Sequence, residues 1–218
     1  MAATPASARP AAAAEAALAG LCPRLKSAIE IIGPCTLKPG RGAPYEALLS
    51  AIAHQQVHGA AAKAILGRVR ALYPGTRYPT PAELLATSDA ALRGAGLSRS
   101  KVAAMKDVAA RTLDGTVLDR RRMMRLSDSA VIERLVEVRG IGQWTAEMLL
   151  MFTLNRPDIL PVGDFGIRYG FKLLYGKRAE PKPKWLAAYG ERWAPHRTTA
   201  SWYLWRYVEY ARDKARER

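Results

Sequence analysis

The chain has 218 residues, 49% of them hydrophobic, and its 34 lysines and arginines against 19 acidic residues give a formal net charge of +15. This length and apolar fraction support a real core in one large domain or two small lobes, and they argue against wholesale disorder. The charge favours a polyanion such as nucleic acid as the partner, with a solvated basic surface as the alternative. Because no apolar run reaches the roughly 20 residues that span a bilayer, we expect no membrane association.

The cysteines and the N-terminal segment indicate the cellular compartment. Cys22 and Cys35 are the only cysteines, which is too few for a zinc site or an iron–sulfur cluster. They could form one disulfide, but we expect reduced thiols in a cytoplasmic protein, nucleoid-associated if bacterial. The alanine-rich opening has no compact apolar stretch, so no secretory signal is expected, and residues 1–10 are predicted to be a flexible tail.

Apolar residues recur at helical spacing throughout, and strand signals are nearly absent, so an all-α fold is predicted. In the first half of the chain, apolar spacing and glycine or proline breaks predict helices over 11–32, 45–72, 81–85, 89–94 and 98–113. Gly33 with Pro34 ends the first of these, and Pro74 with Gly75 ends the second.

The second half continues the helical pattern. One helix is predicted to be capped by Ser127 or Asp128 and to end at a glycine turn, and four more are predicted over 143–154, 164–174, 182–189 and 198–212. We expect this body, 11–218, to form two lobes: a middle lobe of about 45–160, and a second lobe from 11–44 plus 161–218.

The glycine turn lies in Arg139-Gly-Ile-Gly-Gln143, between two predicted helices. Glycine takes positive φ without steric cost, and a tight turn before a helix points several main-chain N–H groups at one spot. Such a turn is an anion site, and on a basic protein it suits a nucleic-acid phosphate. Shortly afterwards Asp164 stands alone in an uncharged run ahead of Arg168. The anion site at the glycine turn and the lone carboxylate of Asp164 together suggest an enzyme that binds DNA and acts on it.

Two segments carry a resemblance to a known family: Val-Arg-Gly-Ile-Gly-Gln-Trp-Thr-Ala at 138–146 and Pro-Val-Gly-Asp-Phe-Gly-Ile-Arg at 161–168. They resemble the helix–hairpin–helix base-excision DNA glycosylases, and the match extends to 51–63, 94–101 and 202–206. Within that family the chain looks like the 3-methyladenine DNA glycosylase II branch, the AlkA type. The resemblance implies a two-lobed helical bundle with a helix–hairpin–helix motif and an active-site cleft between the lobes.

The resemblance also implies an activity: hydrolysis of the N-glycosidic bond of alkylated purines, such as 3-methyladenine and 7-methylguanine, in double-stranded DNA. We expect a monomer without a cofactor. Trp144 stands where bifunctional members carry a Schiff-base lysine, so strand cleavage is not expected. About 40 residues precede the matching body, which suggests a compact form lacking an N-terminal β domain. The alternative is a non-catalytic helix–hairpin–helix DNA-binding protein, against which Asp164 argues.

The family match assigns chemistry to four residues. Asp164 would be the catalytic carboxylate, stabilising positive charge on the sugar; its alternative role is an N-cap or an i,i+4 partner of Arg168. Trp144, Trp205 and Met148 would form the base pocket, since a tryptophan face attracts a cationic purine. Alternatively, Trp205 belongs to an apolar stripe in the core.

The remaining assignments concern DNA contacts. The predicted plug for the gap left by an everted base is Gln55, Gln56, Val57 and His58, with His58 favoured; the alternatives are an exposed surface histidine and glutamines that satisfy backbone groups. The predicted phosphate-binding residues are Arg139, Gly140, Ile141, Gly142, Gln143, Arg168 and Lys101. No tightly bound metal is expected, although relatives often hold a monovalent cation with hairpin carbonyls, here matching Val136, Val138 and Ile141.

Overall fold

The computed structural model describes residues 11–38 and 40–217, so the predicted flexible tail at 1–10 lies outside the described residues. All regular structure in the described part is helical, which confirms the predicted all-α class. Its elements in chain order are α1 (Ala12–Leu21), α2 (Pro23–Ile32), α3 (Pro44–His54), α4 (Gly59–Ala71), α5 (Pro81–Ala86), α6 (Asp89–Gly94), α7 (Arg99–Leu113), α8 (Arg120–Met123), α9 (Asp128–Val136), α10 (Gln143–Phe152), α11 (Phe165–Tyr175), α12 (Pro183–Gly190), a 3₁₀ turn (Glu191–Trp193) and α13 (Arg197–Arg216).

Two long helices predicted from the apolar pattern are each broken in the structure. The helix expected over 11–32 divides at Cys22, which has extended φ and ψ of −146° and 107°. Pro23 explains this break, because a proline disfavours helical backbone at the residue before it. The helix expected over 45–72 divides at 55–58, where Gln56 has φ of 55° and His58 begins α4 as its N-cap. The apolar spacing continues across both breaks and therefore concealed them.

Helix caps account for most of the remaining boundaries. Ser127 is the N-cap of α9, with its hydroxyl accepting from the Ala130 amide at 3.2 Å, so Ser127 rather than Asp128 is the capping residue. Ser88 and Ser98 cap α6 and α7 in the same way. Such side chains satisfy amides that have no partner in the first helical turn. The short α8 and the 3₁₀ turn were not predicted.

Residue contacts divide the chain into two units: residues 1–38 with 156–218, and residues 39–155. The sequence pattern placed the corresponding boundaries at about 45 and 160. In the second unit, α3, α7, α9 and α10 pack together. Leu48, Ile52, Met105, Leu135 and Leu150 are among their buried side chains. Within the described residues, no helix is both long and apolar enough to cross a membrane.

The first unit is built on the packing of α11 against α13, with α2 beside both. Its buried core includes Leu25, Ile167, Phe171, Trp193 and Tyr203. Both cysteines are buried here and free of a disulfide.

A buried carboxylate ties distant segments of this unit together. Glu15 on α1 accepts hydrogen bonds from the Cys35 amide at 2.5 Å and the Tyr203 hydroxyl at 3.1 Å. The Gly33 carbonyl oxygen lies 3.0 Å from the same Tyr203 hydroxyl and shares its single proton with Glu15. Because a buried charge is costly unless hydrogen-bonded, these donors explain why Glu15 is tolerated inside.

Gly170→Ala tests the close approach of α11 to α13. A methyl group at Gly170 would collide with the Leu204 carbonyl group, which is backbone and cannot rotate away. We expect a loss of about 1–3 kcal/mol in the free energy of unfolding, the usual cost of overpacking a core. Chemical denaturation measures it. The matched control is Gly20→Ala in α1, where nothing lies within 4 Å of the added methyl; comparable losses in both variants would contradict the packing argument.

Candidate functional site

The glycine turn between α9 and α10 is a tight hairpin. The Ile141 amide donates to the Val138 carbonyl at 3.0 Å, and Gly140 has φ of 80°, a conformation that favours glycine. The Val138 and Ile141 side chains are buried and anchor the turn from beneath. Gly142 is the N-cap of α10 and provides no side-chain cap. The first-turn amides of α10 therefore have no side-chain acceptor at the cap, which is the arrangement that binds anions at helix N-termini.

Helix α7 holds this hairpin in place through contacts that the sequence did not reveal. The Arg139 amide donates to Asp107 Oδ2 at 2.7 Å. A Cβ atom at Gly140 would lie 3.0 Å from the Ala104 Cβ atom, so glycine also permits the close packing. The side chains of Arg139 and Gln143 are exposed, and Gln143 donates to the buried Glu147 at 2.9 Å. The hairpin thus offers a ligand the first-turn amides of α10 together with the exposed Arg139 side chain.

The turn at 55–58 is joined to the hairpin. Gln55 Nε2 donates to the carbonyl of Gly140 at 2.8 Å, which agrees with the alternative that this glutamine satisfies a backbone group. Gln56 and Val57 are exposed, and Val57 shows 38% of its surface. His58 is exposed, and its Nδ1 lies 3.4 Å from the Ala60 amide that it caps. That this turn fills the gap left by an everted base stays a prediction. Gln56, Val57 and His58 are the residues of the turn whose side chains form no hydrogen bond to the hairpin within the described part of the chain.

Lys101 lies beside the same turn. Its Nζ donates to the Ala53 carbonyl at 2.9 Å, in the last turn of α3, where a cation is favourable. Burial lowers the pKa of Lys101 from its ordinary value. The ammonium group has three donors, so this bond leaves capacity for a phosphate.

Trp144 and Met148 lie one turn apart on α10. Trp144 is 50% exposed, which is unusual for the largest apolar side chain outside a binding surface. Met148 is partly buried and lines a cleft of about 260 Å³ with small residues of α3, including Ala47, Ser50 and Ala51. The resemblance gave both residues to a base pocket, and the structure presents Trp144 to solvent and Met148 to this cleft.

Asp164 and Trp205 are brought together, although 41 residues separate them. Asp164 is the N-cap of α11, and its Oδ1 accepts from the Ile167 amide at 2.7 Å and from Trp205 Nε1 at 2.9 Å. Both residues are partly buried. The N-cap role, which was the alternative to catalysis, is therefore present. It orients the carboxylate and is compatible with a catalytic role for the same side chain. By contrast Trp202, three residues earlier on α13, is buried in the core.

Gly166 makes this contact feasible. A Cβ atom there would lie 2.9 Å from Trp205 Cδ1, 3.1 Å from Trp205 Nε1 and 3.1 Å from Asp164 Oδ1. Those separations are shorter than van der Waals contact, so any side chain would push the indole away. Gly166 lies within the motif at 161–168, but the sequence does not reveal its role, because its partner Trp205 is remote in the chain.

Two further predictions concern cations and anions. Arg168 follows Asp164 by one turn of α11; it is partly buried, and its Nε has no hydrogen-bond acceptor among the described residues. For the hairpin carbonyls, Val136 ends α9 and the Val138 carbonyl already accepts from the Ile141 amide. Among the described residues, no cluster of three or more histidine, cysteine or acidic side chains could hold a metal ion.

Comparisons with known proteins find relatives in sequence and in structure. The family profile described as HhH-GPD superfamily base excision DNA repair protein matches residues 49–196. DNA-3-methyladenine glycosylase 1 of Schizosaccharomyces pombe is 37% identical over 197 residues, which are 88% of this chain and 86% of that protein.

Two solved structures are similar across most of both chains. One is the Schizosaccharomyces pombe 3-methyladenine DNA glycosylase in complex with abasic DNA, with a TM-score of 0.79, 36% identity, and coverage of 88% of this chain and 95% of that one. The other is a DNA-3-methyladenine glycosidase from Bacillus halodurans, with a TM-score of 0.79, 40% identity, and coverage of 92% and 89%.

Gly166→Ala tests the arrangement of Asp164 and Trp205 directly. The added methyl should displace the indole and break its hydrogen bond, so the Trp205 indole N–H proton resonance should move upfield and exchange faster with solvent. Two-dimensional NMR of the indole region measures this, with Trp205→Phe identifying the resonance. Gly163→Ala, where nothing lies within 4 Å of the new methyl, is the control, and an unmoved resonance in Gly166→Ala would refute the contact.

Proposed function

We propose, from the premise that this chain belongs to the HhH-GPD superfamily of base excision DNA repair proteins, that it is a DNA glycosylase. Its partner is DNA, in keeping with the basic charge and the amide-lined hairpin. The reaction is hydrolysis of the bond between a damaged base and its deoxyribose, which leaves an abasic site. We assign it alkylated purines as substrates, as the names of its relatives suggest, and a monomeric state.

The chemistry of alkylated purines explains why one carboxylate suffices. Alkylation at N3 of adenine or N7 of guanine makes the base cationic and therefore a good leaving group. The enzyme must then stabilise positive charge on the sugar, which a nearby carboxylate does electrostatically. A charge pair about 4 Å apart at an effective dielectric of about 20 interacts by roughly 4 kcal/mol. If that energy is gained mainly in the transition state, it corresponds to an acceleration on the order of a thousandfold.

Asp164 is the carboxylate that we assign to this role. The single observation that carries the assignment is its position: Oδ1 is held at once by a helix-terminal amide and by Trp205 Nε1. A fixed carboxylate does not need to reorganise as charge develops, which is the advantage of a preorganised site. The indole that orients it is also a large aromatic surface of the kind that binds cationic purines.

Base eversion and base binding are assigned to the remaining residues of the family match. Removing a base from the duplex costs a few kcal/mol, less at a damaged pair, and a side chain that fills the gap offsets part of it. We assign the filling of this gap to the 55–58 turn, with His58 as the favoured residue. Trp144 and Trp205 would bind the base, and Met148, being flexible and polarisable, would form an adaptable wall.

Because that adaptable wall would admit several alkylated purines, we propose the glycosylase II type as the finer assignment. A single methyl group changes binding in a pocket by only about 1–3 kcal/mol. Single-turnover rates on a panel of duplexes carrying different alkylated bases would therefore measure the breadth of the pocket.

The competing function is a DNA-binding protein without catalysis. Binding a polyanion gains nothing from a carboxylate beside an aromatic surface, because like charges repel. The orientation of Asp164 by two donors therefore favours the enzyme.

Asp164→Asn removes the negative charge of this side chain while keeping its role as the N-cap of α11. Asparagine is an equally good N-cap and keeps an acceptor oxygen for Ile167 and Trp205, so the fold should persist. We expect release of 7-methylguanine from duplex DNA to fall about a thousandfold, while DNA affinity is unchanged or tighter. Single-turnover base release and a gel-shift titration measure the two quantities. Wild-type turnover in this variant would overturn the catalytic assignment.

Trp144 predicts the product of the reaction. Because no lysine stands at this position, no Schiff base should form with the sugar, and the DNA strand should remain intact until it is treated with alkali. Borohydride added during turnover should therefore trap no covalent protein–DNA complex on denaturing gels. Trp144→Lys is the informative comparison, since it restores the amine at the same position; a trapped complex with the wild-type protein would contradict the monofunctional assignment.

A further inference from the structure

A second aromatic and basic site lies in the first unit, between α11 and α12. A cleft of about 290 Å³ is lined by Phe171, Lys177, Arg178, Ala179, Pro181 and Trp185. The residues of this cleft are called the Trp185 pocket below. None of them belongs to the hairpin, to the 55–58 turn or to the Asp164 contact.

Trp185 gives the pocket an aromatic platform. It is 48% exposed, yet it is held on two sides: Tyr189 stacks on it with ring centroids 5.1 Å apart and planes within 21°, and Phe171 meets it edge-on at 5.6 Å. Its position is therefore set by the core, while about half of its surface remains open. A rigid, half-open indole is suited to stacking against another flat ring.

Positive charge surrounds this platform. Lys177 and Arg178 line the cleft and have no ion-pair partner among the described residues. Nearby Glu180 is already paired with Lys172, at 3.5 Å. The guanidinium of Arg192 lies 3.9 Å from the centre of the Tyr189 ring, which adds charge behind the platform. The cleft therefore favours a ligand that combines a flat ring with negative charge.

The pocket is separate from the proposed catalytic acid. Asp164 caps the N-terminal end of α11, whereas Phe171 and Lys177 lie toward and beyond the other end of this helix. At about 1.5 Å per residue, seven residues or more along the helix correspond to roughly 10 Å or more. A nucleotide in the Trp185 pocket is therefore a different nucleotide from the one whose sugar lies at Asp164.

From these observations we propose that the Trp185 pocket binds an unstacked nucleobase of single-stranded DNA, with the adjoining phosphates on Lys177 and Arg178. Aromatic side chains combined with cations are how proteins bind single strands without reading sequence. Duplex bases are stacked on their neighbours and do not expose the ring faces that Trp185 needs. An acidic protein segment would use the cations but would leave the indole without a stacking partner.

The experiment separates stacking from charge. Fluorescence anisotropy measures the affinity of the protein for a labelled twelve-residue thymidine oligomer, and for an oligomer of the same length and charge that has abasic sugars in place of nucleotides. Trp185→Ala should weaken binding of the thymidine oligomer roughly tenfold, since one base–aromatic stack contributes about 1–3 kcal/mol. Binding of the abasic oligomer should be unchanged. Trp185→Phe, which keeps an aromatic face, should restore most of the affinity.

The cations are tested by a double variant, Lys177→Gln with Arg178→Gln. It should weaken binding of both oligomers, and the slope of log affinity against log salt should become shallower by about 0.7 for each phosphate that the protein no longer neutralises. The charge-matched control is Arg24→Gln with Lys26→Gln, on exposed positions of α2 in the same unit, which should change either affinity much less.

Two outcomes would overturn the proposal: wild-type affinity of Trp185→Ala for the thymidine oligomer, or an equal loss of affinity for both oligomers. Circular dichroism and base release from a damaged duplex, which should both be unaffected, show that the variant is folded. Because the oligomers carry no damaged base, the result stands whether or not the protein is a glycosylase.

Discussion

The hydrogen bond from Trp205 Nε1 to Asp164 Oδ1 is the contact on which the proposed chemistry depends. The same carboxylate caps α11 through the Ile167 amide, so its position is set by the fold rather than by a substrate. Its negative charge lies at the N-terminal end of a helix, where the helix dipole favours an anion. Gly166 is required because any side chain there would occupy the space of the indole. One small residue, one cap and one aromatic ring thus determine where the charge lies.

The hairpin shows how a backbone site is kept in shape. Its own turn bond joins Val138 and Ile141, but the two contacts that hold it come from remote segments: Asp107 binds the Arg139 amide, and Gln55 binds the Gly140 carbonyl. The proposed phosphate clamp of main-chain amides would read no base sequence, which suits a repair protein that must bind wherever damage occurs. The bond from Gln55 also links the segment proposed to enter the duplex with the segment proposed to hold its phosphate.

The tryptophans divide according to their surroundings. Trp193 and Trp202 are buried and contribute to the core, as an apolar stripe would. Trp205 is only partly buried, and its hydrogen bond to Asp164 orients the indole. Trp144 and Trp185 are about half exposed; Trp144 lies in the first turn of α10, beside the hairpin, and Trp185 shares its cleft with Lys177 and Arg178. Exposure of a large aromatic ring costs free energy in water, and stacking on a base would recover it.

The sequence by itself determined the helical class, most helix positions after residue 74, and the family, because these depend on local signals: apolar spacing, capping residues, glycine and proline, and two short motifs. It also located the carboxylate and the hairpin. It did not determine the breaks at Cys22 and at 55–58, since the apolar spacing runs on through both. Only the tertiary structure decided which partners these residues have: Trp205 for Asp164, Asp107 and Gln55 for the hairpin, and Phe171 for Trp185. The physical reason is that packing brings together side chains from separate helices, and neither spacing nor helix propensity records which distant side chains will meet.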